Sequence, residues 1–282
     1  MSTSRYKLLI TDLDGTLIDG GGKIHERDRR AIETLLARGV RVSVCTGRMY
    51  SGTRQIARVL GLNTAVGCVD GSHIVHSSDD RELVLRSITS EGARILFDTL
   101  ASVRPVSFVF ADDTVLHDGA GVEFLPYIST WSERAVEVGD AIGESRTRYE
   151  ASTCGVVALG SKQQIQSVAG ELRQKAPDTL QSATFPIRRP PFSALWGMVV
   201  RAAGASKGTA LEWIARHEGV DPAQTIAVGD WLNDIPMLCA AGRSFAMAHA
   251  PDEVKRVASD VLDADVVKGG GIEEAAQRAE LL

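Results

Sequence analysis

The chain has 282 residues, of which 44% are hydrophobic and 24% charged, with a formal net charge of −5. This composition is typical of globular proteins and excludes disordered and collagen-like chains. Arginine and lysine are scattered, so we expect neither nucleic acid nor a membrane as a partner. No signal-peptide core follows Met1 and no apolar run is long enough to span a bilayer, which predicts a cytoplasmic protein.

The cysteines are few and far apart. Four are present, and their spacing matches neither a zinc site nor a close redox pair: Cys45, Cys68, Cys154 and Cys239. We therefore expect reduced, mostly buried thiols in a reducing compartment.

The first part of the chain alternates between predicted strands and helices. The apolar and turn patterns predict, in order, a strand at 8–10, a helix at 25–38 capped by Gly39, a strand at 40–44, a helix at 52–60 and a strand at 65–69. Such alternation is typical of a parallel sheet with crossover helices.

The middle of the chain has a different pattern. Strands at 106–110 and 156–159 and helices at 91–100 and 163–175 predict an independent α+β block that ends in a proline-rich segment, 186–191. The alternating pattern then resumes, with strands at 197–200, 225–228 and 244–247 and helices at 207–217, 234–240, from 251 and from 272. A length of 282 residues also favours two domains or one domain with an insertion.

The strongest chemical signal is Asp12-Leu13-Asp14-Gly15-Thr16-Leu17, directly after the first predicted strand. Two carboxylates at the carboxyl end of a strand lie where open α/β sheets bind ligands, and the glycine permits a tight turn. Taken alone, this segment also fits a simple turn or the start of a calcium loop.

Three further motifs follow in order, and together the four resemble the haloacid dehalogenase superfamily of phosphatases. Thr46-Gly47-Arg48 is similar to the family's second motif, Lys207 in Ser206-Lys207-Gly208-Thr209 to its third, and Gly229-Asp230-Trp231-Leu232-Asn233-Asp234 to its fourth. The insertion between the second and third motifs resembles the Cof-type branch with a type IIB cap.

The resemblance implies an α/β fold with a Rossmann-like parallel-sheet core and an inserted α+β cap domain. We expect the core at 1–86 and 193–282 and the cap at 87–192, joined by two linkers and closing over the site as a lid.

The resemblance also implies roles for the acidic residues and a Mg²⁺ cofactor. Asp12 would be the nucleophile and a metal ligand, while Asp14 would give its backbone carbonyl to the metal and its side chain to acid–base catalysis. Asp230 would ligate the metal and Asp234 would hold its waters. Magnesium suits this chemistry because it takes oxygen ligands and bridges carboxylate and phosphate oxygens.

Four residues are expected to bind the substrate phosphate. Thr46 and Gly47 would form one loop, Lys207 would neutralise the phosphoryl oxygens, and Asn233 would position Lys207 or the phosphate. The open alternatives are a helix cap for Thr46 or Asn233 and an exposed surface position for Lys207.

Several other residues are candidates for substrate contact. Arg48 is one, with a surface ion pair as the alternative, and Asp70-Gly71 stands where the Cof-type branch usually has Asn-Gly. His249 likewise stands where the family tends to have Asn. Because Asp70 and His249 both depart from the family pattern, the resemblance does not identify the substrate. Further candidates, each with a structural or solvated role as the alternative, are His73, His76, Arg188, Arg189 and Trp231.

The expected function is a magnesium-dependent phosphatase for a small phosphorylated metabolite such as a sugar phosphate, acting through an aspartyl-phosphate on Asp12. The alternatives are a phosphomutase and a non-catalytic binding regulator on the same fold. We expect a monomer or a homodimer.

Overall fold

A computed structural model describes residues 5–147, 151–187 and 191–282. The chain divides into two compact units. The first unit comprises the residues up to Gly47, Arg54–Val84 and Ser206–Leu282, and the second comprises Arg48–Thr53 and Leu85–Ala205. In the described residues, no helix combines the length and apolar character needed to cross a bilayer.

The first unit begins with the predicted alternation and then forms a hairpin. Its elements are β1 (Leu8–Thr11), α1 (Glu26–Ala37), β2 (Arg41–Val44), α2 (Arg54–Val59), β3 (Ala65–Cys68), β4 (His73–His76) and β5 (Arg81–Leu85). The strand β3 pairs antiparallel with β4, so this part of the chain contains a small antiparallel sheet that the sequence analysis did not predict.

The second unit contains the α+β block. Its elements are α3 (Ser90–Val103), β6 (Val106–Ala111), β7 (Thr114–His117), α4 (Leu125–Ile128), β8 (Ala135–Glu137), α5 (Ala141–Thr147), β9 (Thr153–Gly160), α6 (Lys162–Lys175), β10 (Leu180–Pro186) and β11 (Trp196–Ala202). The sheet has six strands in the order β10-β11-β9-β6-β7-β8. Leu96, Phe97, Ile165 and Leu172 pack in its buried core, because the apolar faces of α3 and α6 share that cluster.

The chain then returns to the first unit. The remaining elements are α7 (Lys207–His217), β12 (Thr225–Gly229), α8 (Ile235–Ala240), β13 (Arg243–Ala246), α9 (Asp252–Val257), β14 (Asp260–Val261) and α10 (Gly271–Arg278). The main sheet has the order β14-β13-β12-β1-β2, and its neighbouring strands are parallel. The buried runs of β1 and β12 are apolar on both faces, as expected for a sheet covered on both sides. The predicted α/β class with a parallel core sheet is confirmed.

The bounds of the units differ from the predicted domains in three places, of which the smallest is residues 85–86, predicted in the core but part of the second unit. The strand predicted at 197–200 exists as β11, but it pairs antiparallel with β9 and β10, so its assignment to the core was wrong. Residues 48–53, also assigned to the core, belong to the second unit. The chain therefore passes between the units four times, at 47/48, 53/54, 84/85 and 205/206, rather than through two linkers.

Backbone hydrogen bonds explain why residues 48–53 belong to the second unit. The amide of Met49 donates to the carbonyl of Trp131 at 2.8 Å, and the amide of Ser51 donates to Oδ1 of Asp113 at 2.9 Å. A side chain on Gly52 would lie 2.8 Å from the Trp131 carbonyl oxygen, so glycine allows this close approach. Local periodicity does not reveal such long-range pairing.

Candidate active site

Candidate site residues of the first unit follow the carboxyl ends of three strands of the main sheet and of β3. Asp12 comes directly after β1, Thr46 two residues after β2, Asp70 two residues after β3, and Asp230 directly after β12. The amide of Asp12 donates to the Val228 carbonyl at 3.0 Å, which fixes its backbone at this edge of the sheet. This is where open α/β sheets bind ligands.

Lys207 connects two carboxylates of the site, those of Asp12 and Asp234. Its Nζ lies 2.6 Å from Oδ1 of Asp12 and 2.5 Å from Oδ1 of Asp234, and the residue is 1% exposed. The position follows from the start of α7, where the hydroxyl of Ser206 accepts from the amide of Thr209 and caps the helix. The alternative of an exposed surface lysine is therefore wrong.

Asp234 organises the fourth motif. Its Oδ2 accepts from the backbone amides of Asp230 at 2.8 Å and Trp231 at 2.9 Å, while its Oδ1 accepts from Lys207. These bonds explain its complete burial, since each carboxylate oxygen has a donor. Asp234 thus positions both Lys207 and the backbone of Asp230.

Asp230 packs against the loop that follows Asp12. The hydroxyl of Thr16 donates to its Oδ1 at 2.7 Å. Gly15 has a φ of +89°, and a Cβ there would lie 2.5 Å from Oδ2 of Asp230. Glycine is required here both for the left-handed backbone and for the close approach to the carboxylate.

The acidic side chains form a potential metal site. Asp12, Asp230 and Asp234 each offer a carboxylate oxygen, these oxygens lie within 4.8 Å of one another, and all three residues are buried. In the described part of the chain, this is the one group of at least three His, Cys, Asp or Glu residues that could hold a metal ion. An all-oxygen donor set suits a hard cation such as Mg²⁺.

Burial and mutual repulsion dominate the electrostatics of this cluster. Burial raises the pKa of Asp12 well above its usual range, Lys207 opposes this, and the charges of Asp234 and Asp230 add to it. Burial lowers the pKa of Lys207, but Asp12 and Asp234 outweigh it and hold that pKa well above its ordinary value. The cluster therefore holds a charged ammonium and an excess of acidic groups, which a divalent cation would neutralise.

Asp14 differs from Asp12 in its exposure. Its side chain is exposed, two residues beyond the buried Asp12. In a purely structural turn the two aspartates would have similar surroundings. Here Asp12 is held against Lys207, and Asp14 is accessible to solvent. This division suits a nucleophile and a proton-transfer group.

The phosphate-loop candidates lie beside Asp70. Thr46 is 1% exposed, and its carbonyl accepts from the amide of Asp70 at 2.9 Å. A Cβ on Gly47 would lie 3.6 Å from Oδ1 of Asp70, so the loop and this carboxylate are neighbours. Thr46 does not cap α2, which begins only at Arg54.

Asn233 pairs with Asp70 rather than with Lys207. Its Nδ2 donates to Oδ1 of Asp70 at 2.8 Å. Nζ of Lys207 is contacted by the carboxylate of Asp234, and the phosphate-binding role of Asn233 stays a prediction. The next residue, Gly71, has a φ of +94° and allows the turn to pack against the Ser206 carbonyl, 2.5 Å from where a Cβ would lie.

The other sequence candidates are spread over the molecule. Arg48 belongs to the second unit, where its Nη1 lies 3.4 Å from the Gly52 carbonyl. His73 lies on β4 with its Nε2 3.1 Å from Oε2 of Glu82, and His76 lies 3.3 Å from Asp79. Arg188 and Arg189 lie outside the described residues.

Sequence analysis missed one contact of the site. Nε2 of His249 lies 3.5 Å from Oδ2 of Asp230. A hydrogen bond to Asp230 raises the pKa of His249 above its ordinary value, against the opposing effect of its partial burial. The position of His249 in the chain could have indicated this contact, because His249 follows β13, which is the neighbour of β12 in the main sheet.

Comparisons with known proteins agree with this arrangement. A family model described as haloacid dehalogenase-like hydrolase matches residues 9–273. The phosphatase YwpJ of Bacillus subtilis (strain 168) is 25% identical over 273 residues, covering 90% of this chain and 94% of that protein. The HMP-PP phosphatase of Cronobacter sakazakii is 29% identical over 248 residues, covering 85% and 83%.

A solved structure shares the fold. The HAD/COF-like hydrolase of Plasmodium vivax has a TM-score of 0.81 at 21% identity, covering 99% of this chain and 98% of that one. The shared fold is an α/β architecture with a parallel core sheet and separate further sheets. The family match over most of the chain, the shared fold and the acidic cluster lead to one conclusion: this chain belongs to the haloacid dehalogenase-like hydrolase family and is a phosphatase.

Proposed function

We propose that the chain is a Mg²⁺-dependent phosphohydrolase that forms an aspartyl-phosphate on Asp12 and acts on a sugar phosphate. The observation that carries this proposal is the contact of Lys207 with Asp12 inside the cluster of Asp12, Asp230 and Asp234. A nucleophilic carboxylate needs nearby cations before it can approach an anionic phosphoryl group.

The residues present fit a magnesium ion. Asp12 and Asp230 would supply carboxylate oxygens, Asp14 its backbone carbonyl, and Asp234 would hold the metal's waters. When bound, Mg²⁺ neutralises phosphoryl charge and orients the transferring group. The excess of acidic groups over Lys207 in this buried cluster supports the assignment.

The transfer would take place in two steps. In the first, an Asp12 carboxylate oxygen forms a bond to phosphorus as the bond to the leaving oxygen breaks, and Asp14 donates a proton to that oxygen. In the second, Asp14 takes a proton from water, the water attacks phosphorus, and the bond to Asp12 breaks. The exposure of Asp14 suits this exchange, because it must meet both the leaving group and water.

Phosphate binding would use the neighbouring donors. Thr46 would donate through its hydroxyl, Gly47 through its amide, and Lys207 through its ammonium. Asn233 uses one N–H for Asp70, which leaves a second N–H on the same nitrogen for a phosphoryl oxygen.

The choice of a sugar phosphate rests on Asp70. The residue is 5% exposed, its carboxylate lies beside Gly47, and that carboxylate can accept hydrogen bonds from the hydroxyls of a polyhydroxylated leaving group. The named relatives include an enzyme for a different phosphorylated metabolite, HMP-PP, so the phosphoryl group is the shared feature. Asp70 and its surroundings would then distinguish the leaving groups.

A phosphate-release screen tests this proposal. Purified protein with Mg²⁺ is given a panel of sugar phosphates and other phosphomonoesters, and both inorganic phosphate and product identity are measured. We expect phosphate release by the wild type and none above background by Asp12→Asn. Isomerised phosphate ester without phosphate release would indicate the phosphomutase, and binding without turnover would indicate the regulator.

A further inference from the structure

The imidazole of His249 contacts the same carboxylate that the proposed function gives to the metal. Its Nε2 lies 3.5 Å from Oδ2 of Asp230, and its side chain is 36% exposed. The backbone of Gly15 also interacts with this ring. His249 therefore lies between the metal-ligand loop after β12 and the nucleophile loop after β1.

The turn that carries His249 is held firmly in place. The amide of Met247 donates to the Gly229 carbonyl at 3.0 Å, and the amide of Ala248 donates to the Ala264 carbonyl at 3.1 Å. The amide of Ala250 closes the turn on the Met247 carbonyl at 3.0 Å. Because Gly229 directly precedes Asp230, this hydrogen bond connects the backbone of the His249 turn to that of Asp230.

The two oxygens of Asp230 have different neighbours. Thr16 donates to Oδ1 at 2.7 Å, whereas His249 lies against Oδ2, which also faces Gly15. Rotation of the carboxylate about its Cβ–Cγ bond would break the Thr16 bond and lose the His249 contact together. The pair of neighbours therefore selects one orientation of Asp230.

The ligand cluster itself does not include His249. Among the described residues, the group with ligand atoms within 4.8 Å of one another is Asp12, Asp230 and Asp234. The imidazole thus touches one member of the cluster without joining it. This is the arrangement of a residue that orients a ligand, and such partners typically contribute about 10–100-fold in metal affinity.

We propose that His249 is a positioning residue, which holds the Asp230 carboxylate in the orientation that binds Mg²⁺. The inference rests on the proposed function, since it requires Asp230 to be a metal ligand. It also gives a role to the residue that departs from the Asn usual at this position: a histidine reaches farther from the backbone than an asparagine, and so brings a donor to Oδ2 from the neighbouring strand end.

Isothermal titration of metal-free protein with MgCl₂ tests the proposal without any substrate. We expect His249→Ala to raise the Mg²⁺ dissociation constant by about 10-fold or more. His249→Gln, which keeps an N–H donor, should recover part of the lost affinity. In turnover assays, the His249→Ala defect should appear as a higher Mg²⁺ requirement that added Mg²⁺ overcomes. The matched control is His217→Ala, which removes an exposed imidazole on α7 and should bind Mg²⁺ like the wild type.

The Asp230→Asn variant distinguishes a failure of the positioning role of His249 from a failure of the metal assignment. If it abolishes Mg²⁺ binding while His249→Ala leaves the dissociation constant unchanged, the positioning role is overturned and the metal site stands. If Asp230→Asn itself binds Mg²⁺ like the wild type, the metal assignment in the proposed function fails. Should His249→Ala not fold, as judged by circular dichroism, His249→Phe, which keeps an aromatic ring but has no N–H donor, carries the same comparison, and wild-type affinity in that variant would contradict the proposal.

Discussion

Nζ of Lys207 lies 2.6 Å from Oδ1 of Asp12, and both residues are buried at the carboxyl edge of the parallel sheet. Two aspartates of one cluster, Asp12 and Asp234, share this one ammonium, and the third, Asp230, lies against Thr16 and His249. A buried charge that loses its partner is costly, so this contact affects both folding and catalysis.

Replacement of Lys207 by methionine should therefore lower stability as well as activity. Removing one partner from a buried ion pair typically costs about 3–5 kcal/mol, and we expect a loss of that size in the free energy of unfolding. Added Mg²⁺ should recover part of the loss, because a ligand that binds only the folded state stabilises it. Denaturant unfolding with and without Mg²⁺ measures both effects.

The matched control for this variant is Lys175→Met. Lys175 makes an exposed i,i+4 pair with Glu171, a kind of contact that contributes only about 0.3–0.5 kcal/mol. Equal losses of stability in the two variants, or wild-type turnover by Lys207→Met, would contradict the role of Lys207.

Metal dependence gives a second prediction. Excess chelator should abolish phosphate release and added Mg²⁺ should restore it, because Asp12 and Asp230 cannot neutralise a phosphoryl group by themselves. Calcium should support turnover poorly, since it takes more ligands at longer distances than Mg²⁺. Full activity in excess chelator, measured as released phosphate, would exclude the metal assignment.

The Asp70→Asn variant should change substrate preference while keeping the phosphoryl chemistry. Asparagine preserves a carbonyl acceptor for Asn233 but removes one negative charge beside Gly47. We expect KM to fall several-fold for substrates with a second anionic group, because Coulomb repulsion is reduced. Substrate ranking over a panel measures this, and an unchanged ranking would show that Asp70 does not face the leaving group.

The segment 48–53 yields a prediction about local stability. Asp113→Ala removes the acceptor of the Ser51 amide, whereas Asp113→Asn keeps an oxygen at that position. Since a hydrogen bond contributes about 1 kcal/mol, hydrogen exchange at Ser51 should accelerate on the order of 5-fold in Asp113→Ala and little in Asp113→Asn. Equal exchange in both variants would mean that other contacts hold this segment.

Sequence patterns predicted the elements that bear the chemistry. The strands that precede Asp12 and Asp230 are short apolar runs followed directly by polar motifs, and the helix that begins at Lys207 was predicted with its observed bounds, Lys207–His217. These features are local, because strand burial, helix capping and turn residues are encoded within a few neighbouring positions. The family resemblance is likewise confirmed.

Long-range pairing could not be predicted in the same way. The apolar run of β11 fits a core strand and a cap strand equally well, and its partners β9 and β10 decide the matter. The contacts of Asn233 with Asp70 and of His249 with Asp230 join residues 163 and 19 positions apart, and nothing in their local sequence specifies the partner. The roles of the candidate site residues stay predictions until they are tested.

The central claim is that Asp12 is the nucleophile and that Asp14 transfers protons, and intact-protein mass spectrometry after rapid quenching tests it most directly. Wild type, Asp12→Asn and Asp14→Asn are mixed with an activated aryl phosphate, whose leaving group needs little protonation. Asp14→Asn should accumulate a phosphoryl adduct and lose about 10²–10⁴ in steady-state rate, because the water step lacks its base. Asp12→Asn should show no adduct; a phosphoryl adduct on Asp12→Asn, or near-normal turnover by Asp14→Asn, would contradict the account.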